Sequence, residues 1–181
     1  MTLRVAALAM TFALLSGCAA TVQKTSTEQT RPQIPRASAA KLVLSIDGSP
    51  ASVNSSDWDG FKAEWRVNFA EQARLAGVAF EMQDAPPRPT GEDGTLLHVY
   101  VNEYRFVRPG TRYGLGVMSG NAYIKSKLTF SNLKNGETFG THGADTTSSA
   151  WQGIFAPMTN KQVEAIAAEV FKQLKSARPG S

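Results

Sequence analysis

The sequence has very few cysteines and histidines, and this scarcity excludes several kinds of protein. Among 181 residues there is one cysteine, Cys18, so no intramolecular disulfide can form. The two histidines, His98 and His142, are not part of a ligand-spacing motif for zinc. No apolar run reaches the roughly 20 residues that a transmembrane helix needs. With 42% hydrophobic and 19% charged residues, the chain has the composition of an ordinary globular protein.

The charge of the chain is weakly basic and carries little information about partners. The formal net charge is +4 at pH 7, and the excess is spread along the sequence. A nucleic-acid-binding domain usually concentrates its basic residues in a patch or stripe. We therefore expect no nucleic-acid partner, although a slight positive bias favours anionic surfaces in general.

The amino-terminal residues 1–17 have the features of a bacterial signal peptide. Arg4 supplies the positive charge at the start, and an apolar stretch of about 11 residues follows from Val5 to Leu15. This stretch is too short to span a membrane by itself. We therefore expect the segment to be removed on export.

The end of this segment, Leu15-Ser16-Gly17-Cys18, resembles the lipobox of bacterial lipoproteins. Small residues before the cysteine can lie extended in a peptidase cleft, and the thiol is the nucleophile that accepts a diacylglycerol. The resemblance implies cleavage before Cys18 and a further acyl chain on its amine, which together suffice for stable membrane anchoring. The alternative is an ordinary secretory signal that is cut after Ala19 or Ala20. Because Ala19 is not the aspartate that marks inner-membrane retention in enteric-type lipoproteins, the resemblance implies the inner leaflet of the outer membrane, facing the periplasm.

Two further regions follow the signal peptide. Residues 18–40 are rich in Thr, Ser, Gln, Pro and Ala, which favours a flexible tether after the lipidated cysteine. Residues 41–178 should form one globular domain.

The domain is predicted to be α+β, with a mostly antiparallel sheet of about five strands and two helices on one face. Strands are predicted at residues 41–47, 78–83, 95–107, 121–133 and 137–148 from short apolar runs and alternation. The Asn135-Gly136 pair predicts a hairpin between the last two. In the third strand, alternation places His98, Tyr100, Asn102 and Tyr104 on the face opposite the core. Apolar residues recur at three- and four-residue steps in 56–76 and again from Val163 to Leu174, which predicts two helices.

No arrangement of residues predicts catalysis, a metal site or a cofactor. His142, Asp145, Ser148 and Ser149 suggest a hydrolase only superficially, because His142 and Asp145 should point to opposite faces of a strand. A Gly-x-Ser-x-Gly elbow, which would expose a nucleophilic serine, is also absent from the sequence. A zinc site from His98, Glu103 and His142 would need adjacent strands in a suitable register. We therefore expect the protein not to be an enzyme.

The glycine-rich stretch 108–120 is the most unusual part of the domain, and two interpretations of it remain open. It lacks Gly-x-Gly-x-x-Gly spacing and precedes a strand, which argues against a nucleotide site. It is either a long connection between two strands or a contact loop for a partner protein or an anionic envelope polymer. The candidate contact residues combine cationic, aromatic and apolar side chains: Arg105, Arg108, Arg112, Tyr113, Leu115 and Met118.

The arrangement as a whole resembles small bacterial envelope lipoproteins of unknown function, similar to the YajG-like group. The shared features are the lipobox, the Ser/Thr/Pro tether, the Gly-rich loop before an alternating strand, and the closing amphipathic helix. The resemblance implies an envelope lipoprotein and assigns no site residue beyond Cys18. Our expectation is a non-enzymatic binding or assembly module, and the alternative is an envelope hydrolase with an unrecognised site.

Overall fold

The computed structural model describes residues 22–23, 32–106, 122–147 and 158–178. The signal peptide, Cys18 and the candidate contact residues from Arg108 to Met118 lie outside these residues. Arg105 lies within them.

One sheet of six strands organises the described part of the chain. The strands are β1 Val22–Gln23, β2 Lys41–Gly48, β3 Ala79–Gln83, β4 Thr95–Arg105, β5 Tyr123–Asn132 and β6 Thr138–Thr147. Their spatial order is β1-β6-β5-β4-β2-β3. The five longer strands lie where the sequence predicts them.

The sheet is mixed, so the prediction of a mostly antiparallel sheet is wrong. β4, β5, β6 and β1 pair antiparallel in turn, whereas β2 pairs parallel with both β3 and β4. The parallel pairs arise because the segment between β2 and β3 is a helical crossover, which returns the chain to the end where β2 began. Residues 84–94 return it a second time. The predicted hairpin is confirmed, with Ser131 opposite Thr138 across the Asn135-Gly136 turn.

The described helices are α1 Pro50–Val53, α2 Trp58–Ala76 and α3 Met158–Ser176, with a 3-10 turn at Arg36–Ser38. α2 and α3 are the two predicted helices, and α1 is an additional single turn. α2 ends at Gly77, whose left-handed φ of 61° is the conformation that a glycine adopts most easily after a helix. No described helix combines the length and the apolar character needed to cross a membrane.

The core lies between one face of the sheet and the two long helices. α2 contributes four buried aromatic side chains, and α3 contributes a stripe from Val163 to Leu174. The strands supply buried residues such as Leu44, Val99 and Phe130 to the same cluster. We call this side of the sheet the inner face and the opposite side the outer face.

The chain packs onto the domain from Pro32 onward, ahead of the predicted boundary at Lys41. Ser38 and Ala39 are buried, and Ile34 packs against the main core. The Thr95 hydroxyl donates to the Ser38 carbonyl at 2.8 Å. Arg178, just after α3, donates to the carbonyls of Ala39, Ala76 and Gly77 at 3.1, 3.3 and 3.1 Å. This arginine therefore ties the end of the domain to its beginning.

Candidate functional site

The outer face of the sheet is polar at the end where β4 and β6 finish and β5 begins. Cross-strand neighbours there are Arg105 with Tyr123, and Glu103 with Lys125. Asp145 of β6 lies beside Lys125 on the other side. This end of the outer face is the candidate site, and it contains Arg105, one of the contact residues that the sequence suggests.

A β-bulge in β4 decides which side chains reach this surface. The register between β4 and β5 shifts between Val101 and Glu103, so Asn102 is an extra residue in the strand. The shift moves Tyr104 to the inner face, where its ring stacks on Phe61 with a centroid distance of 4.3 Å. The prediction that Tyr104 lies opposite the core is therefore wrong, because simple alternation does not hold across a bulge. The same shift places Glu103 and Arg105 on the outer face.

Glu103 is held by two donors from β5. The Lys125 ammonium lies 2.8 Å from one carboxylate oxygen, and the Tyr123 hydroxyl donates to the other at 2.6 Å. The hydrogen bonds from Lys125 and Tyr123 lower the pKa of Glu103, and the carboxylate in turn raises the pKa of both donors. Lys125 also lies over the Tyr123 ring, 5.5 Å from its centroid. This carboxylate is therefore favoured in its ionised form and is paired with Lys125.

Arg105 and Lys127 add positive charge beside this cluster. Both side chains are exposed on the outer face, on β4 and β5 respectively. Within the described residues neither forms an ion pair. Arg105 therefore lies exposed beside this cluster. Its role as a contact residue stays a prediction, as it does for Arg108, Arg112, Tyr113, Leu115 and Met118.

The two histidines lie on opposite faces of the sheet. His142 is buried on the inner face opposite Leu128, whereas His98 lies on the outer face opposite Thr129. Asp145 pairs with Lys125 on the outer face, so it points away from His142 as the sequence predicts. The structure therefore does not bring His98, Glu103 and His142 together as metal ligands. Among the described residues no group of three or more potential ligands is suited to a metal ion.

Sequence reasoning missed one serine–histidine neighbour. Ser45 on β2 is the register partner of His98, and Asp47 lies two residues further on the same face. In the described part of the chain, Ser45 Oγ and His98 Nε2 have no hydrogen-bond partner. Ser45 is completely buried, so its hydroxyl is not accessible to a substrate. Burial also lowers the pKa of His98, against the opposing charge of Asp47.

A cleft of about 510 Å³ lies between α2 and the carboxyl ends of β2 and β3. Its volume is in the range of small-molecule sites. Lys62 and Arg66 lie on its helix side, Asp47 and Asp84 on its strand side, and Met82 contributes an apolar part. Sequence reasoning could not find this cleft, because its walls come from segments far apart in the chain and share no motif.

Comparisons by sequence identify no relatives. No protein-family model matches the chain, and no curated protein matches it.

Comparison by structure identifies proteins of similar fold. The chain is similar to PelC from Paraburkholderia phytofirmans, solved as the dodecamer of a leucine-to-methionine variant, with a TM-score of 0.52 at 18% identity. The match covers 86% of this chain and 98% of that one. A second PelC dodecamer from the same organism has a TM-score of 0.51 at 18% identity and covers 86% of this chain and 96% of that one. Lipoprotein GNA1162 from Neisseria meningitidis is more distant, with a TM-score of 0.42, 13% identity, and coverage of 72% and 97%. At these identities the PelC likeness shows a shared fold.

Proposed function

We propose that the mature chain is an envelope lipoprotein, anchored through acyl chains on Cys18, and that its domain acts by binding or assembly rather than by catalysis. The location that goes with this proposal is the inner leaflet of an outer membrane, with the domain in the periplasm. The observation that carries it is the position of Cys18, the sole cysteine, directly after Leu15-Ser16-Gly17. Acylation explains why an exported chain that cannot form an internal disulfide contains a single cysteine.

Several features of the domain support a binding role. Glu103 is neutralised by Lys125, the histidines lie on opposite faces, and the serine beside His98 is buried. A hydrolase would need an accessible nucleophile within reach of a base. The outer face instead offers charged and aromatic side chains on rigid strands.

The shared fold with PelC supports the assembly side of the proposal, since that protein is a dodecamer. The partner of this chain would then be another copy of itself or a different envelope protein. The contact residues that we propose are Arg105 and the loop residues Arg108, Arg112, Tyr113, Leu115 and Met118. An anionic envelope polymer is the alternative partner for this cationic set.

The anchoring proposal is tested by growing cells that express the chain with a radioactive fatty acid. We expect the wild-type chain to be labelled and the Cys18→Ser variant to lose the label completely, because serine lacks the thiol that forms the thioether. Label that persists on the serine variant would contradict the proposal.

The contact-loop proposal is tested by crosslinking in intact cells, followed by identification of the captured proteins by mass spectrometry. Alanine at Arg108, Arg112 and Leu115 should abolish the specific crosslinks. A matched control places alanine at Lys134, Lys172 and Leu75, which removes two exposed cations and one leucine that is 63% exposed. If partners survive the first triple substitution, or are lost equally in the control, the loop is not the contact surface.

A further inference from the structure

The short strand β1 places Val22, the described residue nearest in sequence to Cys18, at one end of the sheet. Val22 pairs with Thr146 and Gln23 with Asp145, in antiparallel orientation. Moving backward along the chain from Gln23 to Val22 therefore leads toward the end of β6 at Thr147. Val22 therefore lies at this end of the sheet, which we call the anchor end.

The distance from this end to the anchor is short. Cys18 precedes Val22 by four residues, and a fully extended chain spans at most about 3.6 Å per residue. The Cys18 backbone is therefore within about 14 Å of Val22, whatever path the chain takes. If Cys18 carries acyl chains, as the proposed function requires, the lipid surface lies within the same reach of β1.

The outer face at the anchor end carries cationic and aromatic side chains. Arg105 and Tyr123 form the cross-strand pair nearest this end, and Lys125 follows one pair further in. Lys127 is exposed on the same face. Two carboxylates, Glu103 and Asp145, lie on the same face, and Glu103 is paired with Lys125 and Tyr123. The three cations Arg105, Lys125 and Lys127 outnumber these carboxylates, so this face keeps a positive excess.

These residue types match a phospholipid surface. Arginine and lysine bind phosphate oxygens through charge-assisted hydrogen bonds, and their alkyl stems tolerate an apolar environment. Tyrosine is favoured where one end of a side chain is apolar and the other is wet.

The far edge of the sheet, beside β3, is less suited to such a surface, although the carboxyl ends of β2 and β3 lie at the same end of the sheet as that of β4. The cleft there carries Asp47, Asp59 and Asp84, which outnumber its cations Lys62 and Arg66. An anionic surface repels this acidic excess. The charge distribution thus favours contact through the side of the domain that carries β1.

We propose that Arg105, Tyr123, Lys125 and Lys127 form a membrane-contact surface, which holds the domain against the phosphate groups of anionic lipids at its anchor end. The proposal rests on the acylation of Cys18 and goes beyond it, because acylation by itself sets no orientation.

Energy transfer to the lipid surface tests the orientation. Acylation consumes the only native thiol, so one introduced cysteine can carry a fluorescent donor in the acylated full-length mature chain. Asn102→Cys places the donor at the anchor end, and Lys134→Cys places it in the turn at the other end of β5. β5 has ten residues, so its ends lie about 30 Å apart. With an acceptor on the headgroups of the vesicles, transfer should be clearly stronger from position 102, and equal or stronger transfer from position 134 would overturn the proposal.

The lipid charge tests the contact itself. Vesicles of phosphatidylcholine alone are compared with vesicles that also contain phosphatidylglycerol, with the donor at position 102. Transfer should rise with phosphatidylglycerol, and alanine at both Arg105 and Lys127 should abolish the rise. Alanine at both Lys134 and Lys172, which removes the same charge elsewhere, should leave the rise intact. If energy transfer still rises with phosphatidylglycerol in the variant that lacks Arg105 and Lys127, these residues do not contact the lipid. The same conclusion follows if transfer does not rise when both residues are present.

Failure of this inference is distinguishable from failure of the proposed function. If fatty-acid labelling of Cys18 is absent, the anchor is wrong. If labelling is present but the two donor positions report equal transfer, the anchor is right and the orientation is wrong.

Discussion

His98 is an outer-face residue whose charge state is coupled to folding. Burial lowers its pKa, and the charge of Asp47 opposes this effect only in part. Alternation in the sequence correctly places His98 on the outer face. Its partial burial beside Ser45 could not be predicted, because it depends on the parallel pairing of β2 with β4.

Stability should therefore fall in acid partly because of His98. The unfolded chain has a histidine pKa of about 6.5, so below that pH the unfolded state binds the proton more readily than the folded state does. The stability that neutral His98 contributes is therefore present above about pH 6.5 and is lost as the pH falls below this value. We expect the urea midpoint of the wild type to fall between about pH 7.5 and about pH 5 by more than that of His98→Gln.

The comparison between the wild type and His98→Gln isolates the effect of His98. His142 is present in both, and the carboxylates with lowered pKa values, Glu71 and Glu103, titrate at lower pH and are also common to both. If the urea midpoint falls equally in the wild type and in His98→Gln, His98 does not contribute to the loss of stability in acid.

The packing of helix α2 on the sheet depends on a row of aromatic side chains more than on the residues of its exposed face. Phe61 is completely buried, and its ring lies 5.6 Å from Trp58, 5.9 Å from Trp65 and 4.3 Å from Tyr104 between centroids. The three- and four-residue spacing of these aromatics predicts the buried face of the helix. The contact with Tyr104 was not predictable, because it exists only through the bulge at Asn102.

Truncation of Phe61 should be among the more damaging single changes in the domain. We expect Phe61→Ala to lower the free energy of unfolding by about 3–5 kcal/mol, through lost burial and the cavity that remains. Should that variant fail to fold, Phe61→Leu keeps more of the buried volume and should lower the free energy of unfolding by less than Phe61→Ala does. Chemical denaturation followed by tryptophan fluorescence measures both.

Val67→Ala is the matched control on the same helix. Val67 is 63% exposed, so its truncation should change the free energy of unfolding by about 0.5 kcal/mol or less. If Phe61→Ala costs no more than this control, the aromatic row is not what holds α2 to the sheet.

The strand pairings show which parts of the fold local sequence can predict. The β5–β6 hairpin is encoded by Asn135-Gly136 and by the alternation of β5, and both are local signals. The parallel pairing of β2 depends on where a crossover helix and residues 84–94 return the chain. No local sequence pattern predicts this pairing. A single extra residue such as Asn102 likewise leaves no trace in composition, yet it decides that Arg105 faces outward.

The molecule as a whole combines a proposed membrane location with a proposed binding surface. The membrane location is a prediction from the sequence alone, because the segment that resembles a lipobox is short and contiguous. Of this proposed surface, the sequence suggests only Arg105 as a contact residue, and that role stays a prediction. Tyr123, Lys125 and Lys127 join the surface through strand register. β1 links the two, because it places Val22, four residues after Cys18 in the sequence, at the same end of the sheet as Arg105.

The chemical state of Cys18 decides whether this protein is an anchored lipoprotein. The measurement is the mass of the amino-terminal peptide of the chain purified from membranes of the producing cells. The peptide should begin at Cys18 and carry a diacylglycerol thioether together with an acyl chain on the amine. A peptide that begins after Ala19 or Ala20, or an unmodified Cys18, would contradict the anchor and the membrane-contact surface that depends on it.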